Sequence, residues 1–479
     1  MSPSHKYLIS LLLVSVALSA CNTKKSSKKD PESVPVQPTT PPSVPEPPHP
    51  FDAGLWSPDR LDLMSLTELK GAKATLLQDG PKLPQTDVYA VQGNTTETMT
   101  MSLKRTSENP GAEPYILDMK ASQWNALPRP EAPLNYLSSS NILTSDHAFF
   151  WGGETDNGCG IIGGQIFDRK SAAWKTMNAE KAPSPRLYAK THLYQNRILV
   201  FGGLAAQHDT CAESEEPRGL TNGKFYSPLT GRWEEEISVP LELVPKTPDY
   251  VSSWIVQNHL VVRLGYDDMT KLLAGNLQTG EWKVLFDNVS DPLKVQVTKL
   301  GGGIAIIQYE RSKDKDKPAT LRLTRVLGKS LEHSSTSEAF LPNEYTAIYI
   351  NDDAEPADSR GFRAIGIKPG DSIMDTSIQF AVDVSGVTLQ LVPLPVFGTS
   401  LVEWVELEKG LVGFASDGNG KLMAVYFDKK SWTTRRISGF DVDYNQITVA
   451  QAYKNKVFLT MGLETARSYV LELPEVQQL

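Results

Sequence analysis

The sequence predicts an all-β protein built from repeated units, and three observations support this prediction. The strand-like segments are short, rich in β-branched residues and separated by Gly, Pro, Asn and Asp. No long amphipathic helical pattern occurs, and residues 61–73 allow at most one or two helical turns. Tryptophans recur at steps of 50, 59 and 49 residues, at Trp124, Trp174, Trp233 and Trp282. Steps of this length indicate an array of similar β units.

Two copies of one pattern stand next to each other between residues 147 and 233. In each copy an apolar strand ends in a glycine pair, a variable loop follows, and a second strand leads through a turn to a tryptophan. The glycine pairs are Gly152-Gly153 and Gly202-Gly203, and Pro185-Arg186 precedes the second pair. This pattern resembles the kelch repeat, and the resemblance implies a β-propeller. The glycines and aromatic residues have a structural explanation, in close backbone approach and in filling the space between blades.

Carried along the chain from residue 84 to 473, the unit repeats eight times, which predicts a single kelch-type propeller over residues 51–479. Seven blades are the alternative if one unit is an insertion. The last unit has only three strands, so closing the ring requires a fourth strand from the other terminus. We expect the segment around Leu55 and Trp56 to supply it, because Trp56 stands where the other units have their tryptophan.

Residues 1–20 are typical of a secretory signal peptide. Lys6 precedes a mostly apolar run at residues 8–18, which is too short for a bilayer span of roughly 20 residues. The ending Leu18-Ser19-Ala20-Cys21 resembles the bacterial lipobox, and the resemblance implies cleavage before Cys21 and attachment of lipid, such as palmitate, to that cysteine. An ordinary signal peptide with a chance cysteine is the alternative. Asn22, which is not acidic, follows Cys21, so for a Gram-negative lipoprotein we expect the outer membrane, on its periplasmic or its surface face.

Residues 21–50 are predicted to form a tether between the lipidated cysteine and the propeller. Four lysines lie between Lys24 and Lys29, and nine of the 20 residues from Pro31 to Pro50 are proline. Such a segment cannot bury a core and stays extended at about 3.1 Å per residue. It therefore acts as a spacer that holds the domain up to roughly 60 Å from the membrane.

Composition excludes one class of partner. The formal net charge is −8 and no basic stripe occurs, so nucleic-acid binding is not expected. The membrane, reached through the N-terminal lipid, is the first expected partner. An envelope or extracellular protein or glycan is the second.

Two cysteines besides Cys21 follow the two glycine pairs. Cys159 stands six residues after Gly153, and Cys211 stands eight residues after Gly203. Equivalent loops of adjacent propeller blades share one face, and an exported protein meets an oxidising compartment. We therefore predict a disulfide between Cys159 and Cys211. Free thiols or half of a metal site are the alternatives, although no Cys-x-x-Cys or histidine spacing supports a metal.

No catalytic, metal or cofactor motif stands out in the sequence. It contains no G-x-S-x-G, no H-E-x-x-H, no P-loop and no EF-hand loop. His147 and His259 precede second strands and are expected in hairpins at the surface, whereas His192 lies within a strand and suits a satisfied core histidine. Some kelch propellers are enzymes, and a sialic-acid mutarotase or epimerase is the alternative that the resemblance leaves open.

The two loops after the glycine pairs carry the candidate binding residues, because insertions in repeat proteins gather on the binding face. These residues are Glu154, Asp156, Asn157, His208, Asp209, Glu213, Glu215, Glu216 and Arg218. A solvated acidic loop pinned by a disulfide and a cation site are the other interpretations. The expected function is that of a membrane-anchored, non-enzymatic protein- or glycan-binding module of the bacterial envelope.

Overall fold

The computed structural model describes residues 63–77, 87–94, 97–103, 113–130, 139–153, 160–206, 218–267, 269–288, 295–300, 303–310, 319–327, 331–341, 347–350, 361–367, 378–383, 390–393, 401–407, 410–416, 421–428, 433–443, 447–461 and 467–474. All of them belong to one compact unit, residues 54–479. The predicted signal peptide, Cys21 and the tether lie outside the described residues.

Almost all of the regular structure in the described ranges is β-strand, which confirms the all-β prediction. Two 3₁₀ turns occur there, at Leu63–Ser65 and Leu241–Leu243. The first is the single turn that the sequence allows between residues 61 and 73, and the rest of that segment forms strands β1 (Glu68–Leu69) and β2 (Lys73–Leu77). In the described part of the chain, no helix has the length and apolar character that crossing a bilayer requires.

Four antiparallel sheets follow in chain order. Sheet I contains β3 (Asp87–Asn94), β4 (Glu97–Leu103), β5 (Glu113–Asp118) and β6 (Gln123–Ala126); sheet II contains β7 (Ser140–Leu143), β8 (His147–Trp151), β9 (Gly164–Asp168) and β10 (Ala173–Thr176). After β11 (Arg186–Leu187), sheet III contains β12 (Lys190–Tyr194), β13 (Arg197–Phe201), β15 (Asn222–Ser227) and β16 (Arg232–Ser238), and β14 (Leu204–Ala205) pairs with β11. Sheet IV contains β17 (Tyr250–Val256), β18 (His259–Gly265), β19 (Thr270–Asn276) and β20 (Trp282–Asn288).

The second half of the chain repeats this arrangement. Sheet V contains β21 (Val295–Leu300), β22 (Gly303–Glu310), β23 (Ala319–Leu327) and β24 (Glu332–Leu341); sheet VI contains β25 (Ala347–Ile350), β26 (Gly361–Ile367), β27 (Ile378–Asp383) and β28 (Gln390–Pro393). Sheet VII contains β29 (Leu401–Glu406), β30 (Gly410–Ser416), β31 (Lys421–Asp428) and β32 (Thr434–Asp443); sheet VIII contains β33 (Ile447–Tyr453), β34 (Lys456–Met461) and β35 (Arg467–Glu472).

The strands near the N-terminus complete the last two sheets. β2 pairs antiparallel with β35, so that sheet VIII reaches four strands, and β1 pairs parallel with β32 as a fifth strand of sheet VII. The expectation that the last unit borrows a strand from the N-terminal side thus holds for Lys73–Leu77. The segment around Leu55 and Trp56, to which we assigned that strand, lies outside the described residues.

The first strands of neighbouring sheets approach one another. β3 lies near β7, β7 near β12, β12 near β17, and β29 near β33. β33 of sheet VIII also lies near β3 of sheet I.

The apolar core lies between the sheets. Phe149 and Trp151 of sheet II pack with Trp233 of sheet III, and separate clusters fill the spaces between sheets III and IV, IV and V, and VII and VIII. Trp124 of sheet I packs with Phe458 and Val470 of sheet VIII. Each sheet in these clusters therefore buries its side chains against a neighbour, which no single sheet could do alone.

Candidate functional site

The first candidate loop leaves sheet II after β8, and the structure describes both ends of it. Gly152 N donates to Gly163 O at 2.9 Å, and Ile161 N donates to Gly153 O at 3.0 Å. These two bonds close the base of the loop directly beside sheet II. The variable residues 154–159 therefore begin and end at one fixed point of the backbone.

The second candidate loop leaves sheet III in the same way after β13. Leu220 N donates to Gly203 O at 2.9 Å, and Ala205 N donates to Arg218 O at 2.8 Å. Residues 207–217 are thus carried on a hydrogen-bonded stem.

The two loop stems touch each other. Ala206 N, at the start of the second loop, donates to Pro185 O at 3.2 Å. Gly160, at the end of the first loop, lies so close to Ala206 that a Cβ on Gly160 would overlap the methyl group of Ala206. The two loops therefore leave the protein side by side. We call this surface the II–III rim and define it as residues 152–153, 160–163, 185–188, 204–206 and 218–220.

Gly203 explains why the glycine pair is needed at this rim. Its φ is +80°, and a Cβ there would lie 2.8 Å from Ala189 N and would also overlap Leu187 O. Both the left-handed backbone and the close approach of the segment after β11 require the absence of a side chain.

Arg186 joins the rim to sheet III. Its side chain is fully buried. Nε donates to Ser184 O at 3.0 Å, and one terminal nitrogen donates to Gly202 O at 3.2 Å and to Asn222 O at 2.8 Å. The other terminal nitrogen donates to Ser184 Oγ at 3.1 Å and to Asn222 Oδ1 at 3.3 Å. These bonds match the five N–H groups of a guanidinium, so Arg186 has no donor left for a ligand.

The charge of Arg186 is balanced indirectly. Burial lowers the pKa of Arg186 to about 10, although the carboxylate of Glu236 opposes this shift. Asn222 Nδ2 donates to Glu236 Oε1 at 2.9 Å, and this bond, helped by Lys224, lowers the pKa of Glu236. Asn222 therefore links the buried cation to the nearest carboxylate, and Arg186 stays protonated at neutral pH.

The solvent-facing part of the rim is aromatic and apolar. Tyr188 is 50% exposed and Ile162 is 39% exposed, and Ala205 and Arg218 are exposed as well. Tyr188 has φ of +57°, a left-handed conformation that is unfavourable for a bulky residue. The large ring of Tyr188 thus stays half exposed, where burial gives it little stabilisation.

Of the candidate binding residues, the structure describes Arg218, whose carbonyl belongs to the stem of the second loop. The others, which are Glu154, Asp156, Asn157, His208, Asp209, Glu213, Glu215 and Glu216, lie outside the described residues, as do Cys159 and Cys211. Sequence reasoning missed Tyr188 and Ile162 as rim residues. Pro185-Arg186 in the repeat pattern is the signal that could have led to Tyr188, two residues further on.

The described residues include one close serine–histidine pair. His192 Nε2 lies 2.9 Å from Ser253 Oγ, a distance that an activated nucleophile requires. However, Ser253 is only 2% exposed, so its hydroxyl is closed to a substrate. The pair instead joins β12 of sheet III to β17 of sheet IV, so His192 has a hydrogen-bond partner as expected, but it is half-buried and does not lie in the core.

The two histidines that begin second strands differ from each other. His147 is half-buried at the start of β8, and His259 is the first residue of β18 but only 7% exposed. The surface expectation for His259 was therefore wrong, because the hairpin packs its side chain inward. Within the described ranges, no group of three or more His, Cys, Asp or Glu side chains is placed to hold a metal ion.

No protein-family model matches the sequence, and no curated protein matches it.

Proposed function

We propose that this protein is a lipid-anchored, exported propeller of kelch type that acts as a non-enzymatic binding module and presents the II–III rim to its partner. The observation that carries the proposal is the contact between the two loop stems at Gly160, Pro185 and Ala206. The joined stems place the starting points of two variable loops next to each other, and loops on a rigid scaffold commonly bind partners.

The order of the sheets supports a propeller of eight blades. Eight sheets follow one another within the described residues, and side chains pack between sheets II and III, III and IV, IV and V, and VII and VIII. The packing of Trp124 against Phe458 and Val470, and the approach of β33 to β3, support closure of the ring between sheets VIII and I. The pairing of β2 with β35 supports a final blade that both termini share.

The stem contact also supports the disulfide between Cys159 and Cys211. Cys159 directly precedes Gly160, which packs on Ala206, and Cys211 stands five residues beyond Ala206. Peptide mapping without reductant is expected to recover one cross-linked peptide that contains both cysteines. Recovery of both cysteines as free thiols would remove this part of the proposal.

The partner is a protein or a glycan of the envelope or the extracellular space. Tyr188 offers an exposed aromatic ring, and the sequences of the two loops contain carboxylate and amide residues and Arg218. Aromatic anchors surrounded by adaptable polar groups are the usual composition of a binding surface.

The binding test uses the whole chain on immobilised envelope extracts and on glycan arrays. We expect retention that falls at least about tenfold in a Tyr188→Ala variant, the loss expected for a binding hot spot. The control is Leu229→Ala, because Leu229 is 96% exposed in the β15–β16 turn, away from the rim. The proposed rim would be contradicted if neither format retained the chain, or if both variants lost retention equally.

Anchoring is tested separately in cells. Labelling with a palmitate analogue is expected to mark the chain, and Cys21→Ser is expected to abolish both the label and the recovery in the membrane fraction. A label that persists in the Cys21→Ser variant would contradict lipidation at this residue.

A further inference from the structure

The residues that precede β2 bind tightly to sheet VII. We call residues 63–69 the N-terminal clasp. Its strand β1 pairs in parallel with β32, with Glu68 opposite Arg436 and Leu69 opposite Ile437. Arg436 N donates to Thr67 O at 2.9 Å, and Ser438 Oγ donates to Leu69 O at 3.2 Å. The clasp is therefore fixed by backbone pairing over its whole second half.

Side chains add two further contacts to the clasp. Glu68 and Arg436 form an ion pair, and another Arg436 nitrogen lies 3.3 Å from Met64 Sδ. Leu69 is 6% exposed and belongs to the apolar cluster between sheets VII and VIII, where Val405 and Ile437 also lie. Leu69 is thus a buried apolar anchor just before the chain turns into β2.

Strand β2 is held in sheet VIII mainly by its backbone and not by its side chains. Its five residues pair with β35 through the backbone, but three of them are exposed and none is fully buried. Leu76 is 45% exposed, and only Ala74 and Leu77 pack partly against the core clusters. The strand that completes sheet VIII therefore has few side-chain contacts to keep it there.

The order along the chain gives the clasp a mechanical role. Anything that pulls on the chain from its N-terminal side reaches residues 63–69 before it reaches β2, because the clasp lies upstream. We propose that the N-terminal clasp bears tension that arrives through residues 1–62, and so prevents β2 from being peeled away from sheet VIII. The physiological load rests on the proposed anchoring of the chain at Cys21, since a tethered module is pulled whenever its partner moves away from the membrane.

The test is constant-force spectroscopy on the whole chain, with handles attached at its two ends. The first step is expected to release residues 63–77 together, a length of about 50 Å for 15 residues. Leu69→Ala is expected to shorten the dwell time before this step at least about 30-fold, as for loss of a buried leucine side chain. Glu68→Gln, which removes only a partly exposed ion pair, is expected to shorten it about two- to fivefold.

The control is Leu260→Ala, because Leu260 is also buried but lies in the core between sheets III and IV. This variant is expected to shorten the dwell times before later unfolding steps and to leave the dwell time before the first step unchanged. The proposal is overturned if Leu69→Ala and Leu260→Ala affect the first step alike, or if sheets VII and VIII unravel together with residues 63–77. Because the handles replace the membrane, a failure of lipidation at Cys21 would leave this result intact and would remove only the physiological source of the load.

Discussion

Arg186 shows how one buried cation can organise a surface without touching a ligand. Its donors go to Ser184, which precedes β11, and to Gly202 and Asn222, which lie on the two sides of the second loop in the sequence. A lysine would keep the charge but offers three donors without the planar fork. At least two of the five hydrogen bonds of Arg186 would then be lost.

We expect Arg186→Lys to lower the free energy of unfolding by about 2–4 kcal/mol, because at least two of the five hydrogen bonds of this buried side chain are lost. Urea denaturation followed by fluorescence measures this change. The control is Arg197→Lys, since Arg197 pairs with the partly exposed carboxylates of Glu234 and Glu235, and we expect a loss under about 1 kcal/mol. Equal losses of stability at the two positions would show that the hydrogen bonds of the buried Arg186 guanidinium do not cause the effect.

His259 gives the fold a pH dependence. Burial, helped by Lys283, lowers its pKa below the ordinary value of 6.5, so the folded protein favours the neutral ring. The unfolded chain then binds more protons, and the stabilisation is present above pH 6.5 and is lost as the pH falls below it.

A His259→Asn variant is expected to unfold with a shallower pH dependence between pH 7 and pH 5. Thermal melts at several pH values measure it. His147→Asn is the comparison, because Asp168 and Asp146 oppose the lowering of the His147 pKa by burial, so a smaller change is expected there. An unchanged slope in His259→Asn would contradict this assignment.

At the scale of single residues, the sequence predicted the roles of side chains better than it predicted their burial or exposure. The structural role of the glycines and tryptophans followed from the repeat pattern, and His192 followed from its place in a strand. The burial of His259 and the exposure of Tyr188 could not be predicted, because both depend on how a turn directs one side chain after the sheets have packed. No local pattern encodes that direction.

At the scale of the elements, the glycine pair and the tryptophan fix how sheets II and III meet. Trp233 Nε1 of β16 donates to Asn178 O, and its ring lies 4.6 Å from that of Trp151. Trp174 Nε1 of β10 donates to Pro128 O at 2.7 Å. In both cases the indole reaches the backbone just beyond the last strand of the preceding sheet.

Two glycines with similar φ values allow the cost of backbone strain to be distinguished from the cost of steric crowding. Gly203 has φ of +80° and contacts Leu187 and Ala189, whereas Gly280 has φ of +76° and a Cβ added there would meet no heavy atom within 4 Å. We expect Gly280→Ala to lower the free energy of unfolding by about 1–2 kcal/mol from strain alone. Gly203→Ala is expected to lower it by at least about 3 kcal/mol, because overlap with the backbone adds to the strain. Chemical denaturation of both variants measures the difference, and equal losses would exclude the crowding.

At the scale of the whole molecule, the N-terminal strands complete sheets formed by the C-terminal part of the chain. A chain that begins at residue 63 retains β1 and β2, whereas one that begins at residue 78 lacks both. Without β2, the edge of β35 presents unpaired N–H and C=O groups, which favour association with another chain.

We therefore expect the chain that begins at residue 78 to melt at least about 5 °C lower and to associate as its concentration rises. The chain that begins at residue 63 is expected to melt like the full chain and to stay dispersed. Scanning calorimetry and light scattering measure these properties. Dispersed behaviour of the shorter chain would show that β2 does not protect this edge.

The sequence also predicted the succession of β units along the chain better than it predicted the strands near the two termini. The spacing of the tryptophans predicted successive β units, and the three-stranded last unit predicted a borrowed strand. The position of that strand was missed, because residues 73–77 carry no glycine pair and no tryptophan. Strand β2 is identified as a strand by its pairing with β35 and not by a pattern in its own sequence.

The indole contacts of Trp174 and Trp233 have a consequence for how such a chain can grow. Each contact runs from one unit to the end of the unit before it, so the same donor and acceptor recur at successive boundaries. A duplicated stretch from residue 175 to Trp233 carries both Asn178 and Trp233, and so repeats this donor and acceptor together. Recombination over this period can therefore add a repeat without a new donor or acceptor for this bond having to arise.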